Sequence, residues 1–193
     1  IMYTIIKNTV YQYEIKKSKF ITLIYRVNDI NEVKTYLAKN KQDYPNATHY
    51  CFAYKIGNIQ KFSDDKEPNG TAGMPIIEVI NKKNLDYILC IVIRYFGGIK
   101  LGSGGLIRAY SNAVKNAISE DNIAKIEIGY LIKIETDYDN QKQMDYMLKD
   151  KKITKEFNDK ITYYIEIKKE ELNLFFKYNY QIIKEKIIVD EKD

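Results

Sequence analysis

The sequence predicts an α+β chain of two domains, residues 1–125 and 126–193, and three observations carry that expectation. Segments with two-residue apolar alternation are interleaved with segments whose apolar residues recur at helical spacing. Charge shifts along the chain: the first 125 residues hold 18 Lys and Arg against 11 Asp and Glu, while the rest hold 13 against 15. Beyond Lys125 the segments run β-α-β-β-α-β, the order of a complete ferredoxin-like plait.

A chain of 193 residues, 45% hydrophobic and 30% charged, has enough apolar matter for a real core and enough charge for a water-facing surface. No apolar run reaches the length of a membrane span and no signal-peptide pattern opens the chain, so a cytoplasmic location without membrane contact is expected.

Residues 11–16 and 19–27 alternate apolar and polar side chains around a polar turn at Lys17 and Ser18, which predicts a hairpin. Asp29 has the chemistry of a helix N-cap, and Ile30, Val33, Tyr36 and Leu37 form the apolar side of the helix it opens. Residues 48–56 (THYCFAYKI) form a strand carrying His49, the one histidine of the chain.

The following loop, residues 63–75 (SDDKEPNGTAGMP), crowds Asp64, Asp65 and Glu67 between turn-forming residues. Three close carboxylates can hold Mg²⁺ or serve as helix caps and partners for basic side chains; no calcium-loop spacing is present. The segment leads into a helix at residues 74–81, with Pro75 in its first turn.

Residues 86–93 form a nearly unbroken apolar run, the mark of a strand buried on both faces. It delivers Arg94 and Tyr95 to a loop holding five of the chain's 9 glycines: Gly97, Gly98, Gly102, Gly104 and Gly105. A helix is expected at residues 105–119, its buried stripe formed by Leu106, Ala109, Tyr110, Ala113, Val114 and Ala117. Glycine is costly to order, so such a cluster implies left-handed turns or close approach of another group to the backbone. Lys100, Ser103 and Arg108 lie within and just after it. A strand, a glycine turn and a helix start leave unpaired N–H groups and a positive dipole end together, a natural place for phosphate. Neither a Walker A loop nor a G-x-G-x-x-G dinucleotide fingerprint is present.

In the second domain, strands are expected at residues 128–136, 153–157, 161–168 and 182–189, and helices at 138–149 and 170–178. Asn158-Asp159 turns the central hairpin. Cys51 and Cys90 fall in apolar strands and read as buried, reduced thiols. Two cysteines and one histidine make no convincing zinc site, and the second domain has no cysteine for an iron–sulfur cluster.

Three ordered blocks, ATHYCFAY (47–54), SDDKEPNGTAGMP (63–75) and VIRYFGGIKLGSGGLIRAYS (92–111), together resemble the IMPACT/YigZ family. The resemblance spans most of residues 14–120, and the second domain fits the bacterial two-domain members. The family's usual D-D-G-E-P appears here as Asp64-Asp65-Lys66-Glu67-Pro68. The resemblance does not reach the RWD domain of eukaryotic members, so partner binding through that domain is not carried over. It implies an N-terminal ribosomal-protein-type α/β sandwich like domain IV of elongation factor G, followed by a plait like that factor's domain V. It also implies a link to translational control.

The chain therefore reads as an RNA- or ribosome-binding protein rather than an enzyme. The basic first half supplies attraction, and Arg94, Lys100, Arg108 and the open loop amides supply phosphate contacts. His49 and Tyr95 are expected to stack on or bond a base or ribose. A protein partner in translation control is compatible with this reading, and DNA-specific recognition is not expected. The alternatives are a Mg²⁺-dependent enzyme on a nucleotide or phosphorylated small molecule, with Asp64, Asp65 and Glu67 as metal ligands, and a protein-interaction module. No activated nucleophile is evident for the enzyme.

Overall fold

The computed structural model describes residues 1–190 and divides them into two compact units, Ile1–Lys125 and Ile126–Asp190. The chain is mixed α and β, with antiparallel sheets. No helix among the described residues is long and apolar enough to cross a membrane.

In the first unit, strands β1 (Met2–Ile5), β2 (Thr9–Ile15) and β3 (Ser18–Arg26) precede helix α1 (Ile30–Asp43). Strands β4 (His49–Ile56) and β5 (Ile59–Ser63) come before helix α2 (Gly73–Lys82), and strand β6 (Ile88–Tyr95) before helix α3 (Gly102–Ala117). Five of these strands form one sheet in the order β2-β3-β6-β4-β5, antiparallel at every step. Strand β6 is central, which explains its unbroken apolar run: alternate residues serve opposite faces. Ile88, Cys90 and Val92 pack with α2 and α3, whereas Leu89, Ile91 and Ile93 pack with Val33 and Tyr36 of α1. Each such side chain, buried on both sides of the sheet, contributes about 1.5–3 kcal/mol of transfer free energy.

Local chemistry sets the ends. Asp29 accepts from the Glu32 amide at 2.9 Å and caps α1, as expected. Lys16 and Lys17 both take positive φ, 46° and 61°, giving the tight β2–β3 turn. The sequence pattern did not disclose β1 or β5. All but one residue of β5 is exposed, so it pairs through its backbone at the sheet edge and shows no apolar face.

The second unit contains β7 (Ile123–Thr136), which begins just before it, α4 (Gln141–Met147), β8 (Ile153–Phe157), β9 (Ile161–Lys168) and β10 (Tyr180–Asp190). Here β7 pairs with β9 and with β10, and β9 pairs with β8, β9 being antiparallel to both of its neighbours. Its core joins Ile132, Ile134, Met144, Leu148, Tyr163, Ile165 and Phe175. The helix expected at 170–178 is a 3-10 segment, Lys169–Phe175. Only Phe175 of that segment is buried, so no apolar stripe demands α-helical spacing.

Candidate functional site

Two arrangements meet where β6 ends, one buried and one exposed. The buried one is a charge network whose members had been expected to serve separate roles. Arg94 and Glu67 have side chains only 5% and 3% exposed, and Arg94 Nη1 donates to both Glu67 carboxylate oxygens at 2.8 Å. Tyr110 of α3 donates its hydroxyl to Glu67 Oε2 at 2.8 Å. His49, paired across the sheet with Arg94, places Nε2 2.8 Å from Glu67 Oε1 and Nδ1 2.7 Å from the Asp65 carbonyl oxygen. Both imidazole nitrogens thus face oxygen atoms of the 63–75 loop. Ser18 Oγ accepts from Arg94 Nη2 at 3.2 Å. Burial, first of all, pushes the Tyr110 hydroxyl and the Cys51 thiol far above their ordinary range, and the single Cys51 S–H lies within donating reach of the Asp64 carbonyl and the Tyr110 hydroxyl.

This network corrects three expectations. Arg94 is not available to phosphate, because its guanidinium is spent on Glu67 and Ser18 beneath the surface. His49 does not reach out to a base, and the Tyr95 hydroxyl is engaged by the Pro45 carbonyl at 3.0 Å. Nor do the carboxylates converge on a cation. Asp64 accepts from the amides of Gly70, Ala72 and Gly73 at 2.8–3.1 Å, capping α2 from outside the helix; Asp65 Oδ2 accepts from the Tyr50 amide. No group of three or more His, Cys, Asp or Glu among the described residues could hold a metal ion. The sequence could not show this, because one-dimensional crowding of Asp64, Asp65 and Glu67 says nothing about directions. In the fold the three point to three different partners.

The exposed arrangement is the glycine loop itself. Gly98 and Gly102 take positive φ, 91° and 74°. Gly97 is there for close approach: a Cβ at that position would stand 1.8 Å from the Lys17 carbonyl oxygen. The β2–β3 turn, with exposed Lys16 and Lys17, is thereby pressed against the loop, a basic contribution the sequence did not assign to it. Helix α3 begins at Gly102, three residues earlier than expected, because Gly102, Ser103 and Gly104 carry no apolar side chain that would reveal helical spacing. No side chain caps it. Among the described residues no acceptor meets the amides of Gly102, Ser103 and Gly104, the first-turn donors that a helix leaves open. Arg108 reaches back over that turn: a Cβ at Gly104 would stand 3.3 Å from its Nη1. Arg108 and Lys100 are exposed and form no ion pair among the described residues.

The Impact N-terminal domain family model matches residues 16–118. The chain is 43% identical over 127 residues to "IMPACT family member YvyE" of Bacillus subtilis (strain 168), a match covering 64% of this chain and 58% of that protein. It is 38% identical over 112 residues to "IMPACT family member YigZ" of Escherichia coli (strain K12), covering 55% of each. Against "Protein IMPACT" of Rattus norvegicus it is 32% identical over 116 residues, 55% of this chain and 35% of that one. These matches therefore span less than two thirds of each relative's own length. A solved structure described as "Crystal structure of an hypothetical protein" covers 94% of this chain and 95% of its own, with a TM-score of 0.63 and 25% identity.

Proposed function

This chain belongs to the IMPACT family, and from that premise we propose that it is a translation-regulatory protein that binds RNA, free or in the ribosome, through the phosphate backbone at its glycine loop. The observation that carries the reading is the open first turn of α3. Its three free amides open the helix, Arg108 lies against Gly104 of that turn, Lys100 is in the loop before it, and the backbone of the hairpin turn that carries Lys16 and Lys17 packs on Gly97. A phosphate entering there gains amide hydrogen bonds, the positive end of the helix dipole and a charge-assisted contact with Arg108. Such contacts fix position and carry no sequence information, so recognition by shape and backbone is expected.

Fold analogy supports the same reading. The pairing of β7 with β9 and β10, and of β9 with β8, is compatible with the ferredoxin-like plait expected from the sequence and supports it. With the family resemblance, it favours domains arranged in sequence like domains IV and V of elongation factor G. Analogy of fold raises a prior and assigns no activity. The Mg²⁺-dependent alternative loses its observation, since Asp64, Asp65 and Glu67 are committed to amides and to Arg94.

The test is fluorescence anisotropy of a labelled structured RNA titrated with protein at several salt concentrations. Binding should weaken steeply with salt, and Lys100→Ala and Arg108→Ala should each lower the logarithmic salt slope by about one. Affinity indifferent to salt and to both substitutions refutes the proposal.

A further inference from the structure

The network under the loop leaves one aromatic ring outside it. Phe96, immediately after β6, is 46% exposed. An exposed phenylalanine costs solubility, yet this one is held firmly. Its amide donates to Thr48 Oγ1 at 2.9 Å, and the next residue, Gly97, is wedged against Lys17. The Arg94 guanidinium carbon lies 5.4 Å from the Phe96 ring centroid and 5.6 Å from that of fully buried Phe20. Arg94 is thus layered between an inner and an outer ring, and Glu67 fixes it there.

We propose that the solvent-facing side of Phe96 is a stacking platform for one unpaired nucleobase of the bound RNA. The inference rests on the RNA reading above and names the part of the ligand that the phosphate cradle does not. Two features favour a base over an apolar protein side chain. The cation on the inner side of the ring draws on its quadrupole, which suits the outer side to a polarizable π-system rather than to a second cation. Exposed lysines lie close along the chain, Lys17 with its backbone packed on Gly97, Lys16 beside it and Lys100 four residues after Phe96, so an occupant that brings negative charge alongside a flat apolar face fits this surface. A nucleotide in single-stranded RNA has both. Every base offers a π-face, so the platform accepts any of the four and adds affinity without sequence preference.

The chain contains no tryptophan, so Phe96→Trp places a sole indole reporter at the site. The probes are a short unstructured RNA and an abasic sugar-phosphate chain of the same length. RNA should quench the indole fluorescence of the Phe96→Trp variant and the abasic chain should not. Phe96→Ala should weaken RNA binding about tenfold while leaving the abasic chain unaffected; an unchanged thermal unfolding curve confirms that the variant is folded. If the wild type binds RNA but the indole is not quenched and Phe96→Ala binds as the wild type does, the platform is overturned and the phosphate reading stands. Equal quenching by both probes also overturns it. If the wild type binds the labelled structured RNA but neither probe, the platform is overturned; if it binds none of the three, the RNA reading itself falls and takes the platform with it.

Discussion

Glu67 holds Arg94 through both of its carboxylate oxygens at 2.8 Å, inside a site where neither side chain is more than 5% exposed. The carboxylate comes from the loop before α2 and the guanidinium from the end of β6, just before the glycine loop, so one ion pair ties the two segments together. Removing one partner strands the other charge away from water. Glu67→Ala is therefore expected to cost about 3–5 kcal/mol, and replacing both residues by methionine to cost less, the remainder coming from the Tyr110 hydroxyl left without its acceptor. Urea unfolding of both single variants and the double variant checks this. A single substitution as mild as the double would show that Arg94 finds water or another partner.

The glycines of the loop should not behave alike. At Gly97 an alanine Cβ collides with the Lys17 backbone, whereas at Gly98 nothing lies within 4 Å and only the φ of 91° resists a side chain. Gly97→Ala should push the hairpin turn off the loop and cost about 1–3 kcal/mol. Gly98→Ala should cost about 1 kcal/mol from backbone strain alone. Chemical denaturation ranks the two, and amide shifts at Lys16 and Lys17 should move only in the first.

Lys66 stands where the family resemblance implies a glycine, and its φ is 68°. The backbone there is left-handed and bears a side chain at a steric cost. Lys66→Gly is expected to raise stability by about 0.5–1 kcal/mol, the relief of the Cβ clash less the entropy of a freer unfolded chain. A thermal unfolding midpoint that rises confirms it; one that falls would mean that the lysine makes a stabilising contact of its own.

Alkaline pH should loosen the face where β2 meets α3. Tyr13 donates its hydroxyl to the Ala109 carbonyl, and burial, helped by neighbouring Tyr11, pushes its pKa up from 10.0 to about 12. The folded state thus favours the neutral phenol. That contribution is complete below pH 10 and is lost as pH rises through about 12. In a Tyr13→Phe variant the fall in stability between those values should be shallower than in the wild type, measured by urea midpoints across the range.

Much of the architecture was legible because periodicity and turn chemistry are local. The apolar run ending at Arg94, the Asp29 cap and the strands at 153–157 and 161–168 follow from spacing alone. β5 was not legible, because an exposed edge strand is held by backbone bonds that leave no mark on its side chains. The early start of α3 was hidden for a related reason: glycine and serine carry no periodic signal.

Residue order was enough for the α+β class, the family and the place of the glycine loop, since each is written in local spacing or in short ordered blocks. It took the folded chain to show that Arg94 belongs to Glu67 rather than to a ligand, and that Phe96 faces water beside the glycine loop. Hydrogen bonds and ion pairs between residues 27 positions apart depend on where strands and loops bring side chains in space. A buried charge takes the partner that desolvation obliges it to take, whatever role its chemistry would allow at the surface.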